Sequence, residues 1–88
     1  LGHIYAKMAR YEEASSLYQR SIAVLESINH MHAVGISLYN LANVYSMQDR
    51  LQESNELYRK SLELFERILL TQKLFFLFHV EHFLSVNI

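Results

Sequence analysis

The chain has no cysteine, no proline, no tryptophan and only two glycines in 88 residues. Without cysteine there is no disulfide framework and no thiolate zinc site, although the compartment is left open. Without proline, and with so little glycine, collagen-like and turn-rich β folds are excluded. Charge is also scarce: 19% of residues carry it, and eight Lys+Arg against nine Asp+Glu give a net charge of −1. That balance leaves no electrostatic footprint for nucleic acid or an anionic membrane. Long apolar runs are missing too. The longest, Leu74-Phe75-Phe76-Leu77-Phe78, stops at His79, well short of the roughly 20 residues that cross a bilayer. The chain opens Leu1-Gly2-His3-Ile4-Tyr5 with no basic stretch before an apolar core. It therefore reads as the middle of a larger protein without a signal peptide, and a cytoplasmic location is expected. What remains is 51% apolar and rich in helix formers, which suits one small ordered helical domain.

Internal repetition organises it. Sliding the chain by forty positions lays residues 1–28 on 41–68, and nine of the 28 pairs are identical. They include Leu1/Leu41, Tyr5/Tyr45, Arg10/Arg50, Leu17/Leu57, Tyr18/Tyr58 and Ser21/Ser61. Average composition would supply about one or two. Other pairs keep their chemistry, such as Ile4/Val44, Ile22/Leu62 and Leu25/Phe65.

Each unit reads as a helical hairpin. Val34, Leu38, Leu41, Ala42 and Tyr45 recur at spacings of three and four, as on the buried face of an amphipathic helix. Leu51, Leu57, Tyr58, Ser61, Leu62, Phe65 and Ile68 do the same over 51–68. Gln48-Asp49-Arg50 between them is short and polar, so the two helices must lie antiparallel. The first unit has the same layout: a truncated helix through Met8, a brief turn, and a helix over about 11–28 ended by Asn29 and His30. The pattern predicts an all-α solenoid of antiparallel hairpins, with about four helices in the first 70 residues. Its parts are an incomplete repeat over 1–30, a whole one over 31–70 and an atypical tail over 71–88.

These residues resemble the tetratricopeptide repeat family, whose Leu-Gly-x-x-Tyr and Ala-x-x-x-Phe signature is matched by Leu1-Gly2…Tyr5 and Ala14…Tyr18. The second copy is looser, Leu41-Ala42…Tyr45 and Ser54…Tyr58. Two departures stand out: Ala9 and Asp49 replace the turn glycine, and Glu26 and Glu66 replace the terminal proline. With the forty-residue period, they look like the long-period branch seen in LGN/Pins-type adaptors and, more distantly, kinesin light chains. The resemblance covers residues 1–68. It implies a protein–protein interaction scaffold that captures a peptide segment of a partner in a concave groove. The other reading is a structural fragment whose apolar ends mediate self-association or stacking with further repeats.

The small residues Gly2, Ala14, Ala42 and Ser54 fall where two helices must approach closely, and Tyr5, Tyr18, Tyr45 and Tyr58 supply bulk; all are expected in the core. The opposite face carries the functional expectation. At about 100° per residue, Ile36, Asn40, Asn43 and Met47 form one stripe, flanked by Tyr39. The equivalent stripe in the first unit holds His3 and Lys7. By resemblance this face lines the groove. Carboxamides both donate and accept, so Asn40 and Asn43 could clamp a peptide backbone; a solvated face is the bland alternative.

Nothing points to catalysis or a cofactor. His30-x-His32 and His79-Val80-Glu81-His82 offer histidine pairs, but no further ligand is spaced to complete a metal site. No serine sits in a nucleophile turn and no glycine-rich loop could cradle phosphate.

After Thr71 the character changes: residues 71–88 hold four of the five phenylalanines and none of the six tyrosines. Residues 69–80 match 29–40 nowhere, so no third ordinary unit begins. Three readings stay open. The tail is a closing helix with Leu74, Leu77, Phe78, Leu84 and Ile88 turned inward, a terminus foreign to the array, or an amphipathic segment for a membrane surface or partner helix. The lack of Lys/Arg on its polar side argues against the membrane. About three repeats are needed before such an array is stable, so the chain is expected to be marginal as a monomer.

Overall fold

The computed structural model describes residues 2–87, and side chains from Lys7 onward. It contains three helices, α1 (Gly2–Ser27), α2 (Met31–Met47) and α3 (Leu51–Asn87), and no strand among the described residues. The fold is the all-α helical repeat that the forty-residue periodicity implies. Helix α2 packs against both neighbours, while among the described residues α1 and α3 do not meet each other.

Both turns are built alike. Asn29 (φ 58°) and Asp49 (φ 64°) occupy the left-handed region, where Asn and Asp are tolerated better than other non-glycine residues. The His30 N–H reaches the Leu25 carbonyl and the Asn29 N–H the Glu26 carbonyl; Arg50 and Asp49 do the same to Tyr45 and Ser46. This is the Schellman arrangement, which satisfies the last carbonyls of one helix and releases the chain into the next.

The same chemistry explains where the sequence expectation fails. Turns at 29 and 49 continue a spacing of twenty whose other members are Ala9 and Leu69. Left-handed backbone would cost those two residues about 1–2 kcal/mol each, and both are strong helix formers. The chain therefore stays helical through both. The short turn expected after Met8 is absent, α1 is one helix of 26 residues, and three helices replace four. Helix α3 likewise runs for 37 residues.

The core is small and centred on α2. Val34, Leu41, Ala42, Val44 and Tyr45 are its buried apolar residues, and Ser54 and Ser61 are buried from α3. Ala42 is fully covered and Ser54 is 1% exposed. Ser54 Oγ donates to the Ala42 carbonyl at 3.0 Å, and Ser61 Oγ to the Gly35 carbonyl at 2.9 Å. Two small residues seven apart on α2 thus face two serines seven apart on α3, which lets the helices close together with no buried hydroxyl unpaired. Tyr45 was expected inside and is buried, whereas Tyr18 and Tyr58 are only half-buried.

The tail does not close the array. From Leu69 to Asn87 every described residue is exposed, including Leu74, Leu77, Phe78 and Leu84, which the closing-helix reading turns inward; Ile88 lies outside the described residues. Position 69, where the twenty-residue spacing would place the next turn, is instead inside the continuous helix α3. The molecule measures 74 × 23 × 16 Å with a radius of gyration of 18.9 Å, against about 12 Å for a compact domain of this length.

Candidate functional site

Helix α2 lies between its neighbours with one side turned outward. Its covered residues, Val34, Gly35, Leu41, Ala42, Val44 and Tyr45, leave a facing stripe of Ile36, Asn40, Asn43 and Met47. Ile36 and Met47 are exposed, as is the flanking Tyr39. Asn40 and Asn43 are half-buried. Five of the residues singled out in the sequence therefore share one accessible face.

The two asparagines differ. Asn43 Oδ1 accepts a hydrogen bond from the Tyr58 hydroxyl on α3, which fixes the carboxamide with its N–H groups free to donate. Asn40 makes no side-chain hydrogen bond to another described residue, so its donor and acceptor are both available. Tyr58 also lies 5.4 Å from Tyr39, ring centre to ring centre and tilted at 56°. Sequence reasoning placed Tyr58 in the core. It is instead half-buried and touches both Tyr39 and Asn43 at the edge of the stripe.

Helix α1 packs along α2, and Gln19 Nε2 on α1 donates to the Tyr45 hydroxyl at 3.0 Å. Lys7, from the first unit, is exposed. The side chain of His3 lies outside the described residues.

Among the described residues no three His, Asp or Glu side chains gather closely enough to hold a metal ion. The one salt bridge among them is Arg50–Glu53 beside the second turn, with the Arg50 guanidinium also 4.1 Å above the Tyr45 ring. The hydrogen bond to Glu53 holds Arg50 above its ordinary pKa, and Arg50 draws the Glu53 carboxyl below its own. No helix of the described residues is long and apolar enough to cross a membrane.

Comparison with known proteins agrees with the helical-repeat fold. The tetratricopeptide repeat family model matches residues 1–67, and the chain belongs to that family. The match ends at Arg67. No curated protein and no solved structure matches the chain.

Proposed function

We propose that this chain is a protein-interaction module that captures a peptide segment of a partner protein on the outward face of α2. Tetratricopeptide repeats are generally scaffolds for protein–protein contacts, and the family match supports that class. The observation that carries the finer reading is the Tyr39–Tyr58–Asn43 cluster. It pre-orients a carboxamide donor beside two aromatic faces on a rigid helix pair, so little side-chain entropy is lost on binding. Asn40 supplies a second carboxamide on the same stripe, while Ile36 and Met47 offer apolar contact at its ends. His3 and Lys7 belong to the expected groove by repeat equivalence alone. The forty-residue period supports the long-period branch of the family. It also supports division of the chain at about 30 and 70.

The test is partner capture with Asn40→Ala, Asn43→Ala and Tyr58→Phe. Tyr58→Phe removes the same internal hydrogen bond as Asn43→Ala but keeps the carboxamide. Loss of binding in both asparagine variants, with a smaller weakening in Tyr58→Phe, which keeps the carboxamide but loses its pre-orientation, supports the reading. Equal binding by all three overturns it.

A further inference from the structure

We infer that the exposed end of α3 is the contact through which two copies of this chain pair, antiparallel and centred on Leu77. The inference is independent of the groove on α2. Between Leu69 and Asn87 the helix carries apolar residues around its whole circumference, and every residue of the segment is exposed. Helices of that composition are ordinarily covered.

The positions of the charges indicate what covers it. Within 69–88 the only Asp, Glu, Lys or Arg residues are Lys73 and Glu81, which are four before and four after Leu77. At 100° per residue, Leu70, Leu74, Leu77, Val80 and Leu84 fall within about 60° of Leu77 on one side of the helix. Lys73 and Glu81 fall inside that same stripe, about 40° to either side of its centre line. All seven residues are exposed. Phe75 and Phe78 lie outside the stripe. There they pack on His79 and His82, with Phe75 and His79 ring centres 4.2 Å apart.

A second copy laid antiparallel, with residue i opposite residue 154 − i, satisfies this stripe completely. Leu77 meets Leu77, Leu70 meets Leu84 and Leu74 meets Val80. Lys73 lies level with Glu81 of the other copy, and the twofold axis makes that pair twice, as an isologous contact requires. The alternatives are each penalised. A parallel pair sets Lys73 on Lys73 and Glu81 on Glu81. Sliding one copy by seven residues sets Lys73 against Leu74 and Glu81 against Glu66. A charged residue inside an apolar seam thus fixes direction and register at once. The overlap runs from Leu69 to Ser85 and leaves the α1–α2–α3 core untouched.

Sedimentation of the 88-residue chain across a range of concentrations tests this, using Lys73→Glu, Glu81→Lys, the double variant and an equal mixture of the two singles. The wild type is expected to dimerise. Each single variant places like charges together twice and is expected to dissociate at least about tenfold more readily. The double variant restores both pairs. The mixture restores them between unlike chains, so heterodimers form where neither parent self-pairs. Circular dichroism should show all variants equally helical. A monomeric wild type, a dimer indifferent to the single reversals, or a double variant and mixture no better than the singles would each overturn the inference.

Discussion

The ring of Phe65 occupies the space that a β-carbon on Gly35 would need: its Cζ lies 2.8 Å from that position. A glycine in mid-helix is otherwise a liability of about 1 kcal/mol relative to alanine, and here the close approach of α2 to α3 accounts for it. Ser61 bonds to the Gly35 carbonyl in the same contact, and the His32 ring meets Phe65 edge-on at 5.6 Å.

Gly35→Ala therefore sets two effects of opposite sign against each other. Helix propensity gains about 1 kcal/mol, while displacing a packed ring costs about 1–3 kcal/mol. Net destabilisation is expected. With Phe65→Leu, which installs the residue that Leu25 provides in the first unit, the same Gly35→Ala change should become stabilising. Thermal or urea melts of the four-member cycle measure the coupling, and strictly additive effects would show that the contact is not what holds the glycine.

Asn29→Ala and Asp49→Ala should each destabilise by about 1–2 kcal/mol, the cost of left-handed backbone for an ordinary residue. Asn29→Gly and Asp49→Gly should not. The converse substitution, Leu69→Asn, offers the chain a turn at the next position in the twenty-residue spacing. It should lower the helical content of the tail by circular dichroism, and an unchanged spectrum would mean that the side chain at 69 does not decide the matter.

Much of this was readable beforehand, for identifiable reasons. The repeat exposes packing positions, so the inward face of Val34, Leu41 and Tyr45 and the outward stripe of Asn40 and Asn43 are both legible from spacing. Repeat alignment transmits side-chain packing better than backbone conformation, and this misplaces the first turn. Ala9 aligns with Asp49 but cannot cheaply adopt its φ. Tyr58 was assigned to the core because its repeat mate Tyr18 and the family signature both suggest packing. Its hydroxyl reaches Asn43 across two helices, a relation fixed by tertiary geometry alone. Gly35 carried a signal, since an isolated glycine in a helical pattern calls for a close neighbour.

Glu53 gives a pH prediction of known sign. Its carboxyl sits below the ordinary value, chiefly through the hydrogen bond from Arg50. A group with a depressed folded pKa contributes stability above its unfolded pKa and loses it as pH falls through the folded one. Wild type should therefore melt slightly higher than Glu53→Gln near neutrality, with the difference fading once the pH drops below the usual glutamate range. The effect is small because both partners are exposed and screened by solvent. Added salt should shrink it further, and a difference that grew on acidification would contradict the assignment.

Removal of residues 71–88 is expected to leave the core intact. Among the described residues, the last of α3 with partial cover is Ile68, and no buried side-chain hydrogen bond reaches beyond Ser61. At low concentration, where pairing through α3 is lost, the 1–70 chain should melt within a few degrees of the full chain. A closing helix would instead take much of the stability with it. The two chains should diverge as concentration rises. An association that only the folded state can make raises the melting temperature by mass action, so the full chain should gain stability with concentration while 1–70 does not. A full chain whose melting temperature is independent of concentration, paired with a 1–70 chain that unfolds, would restore the tail to the role of a cap. Divergence with concentration assigns the apolar tail to contact between molecules, and leaves the outward face of α2 free for a separate partner.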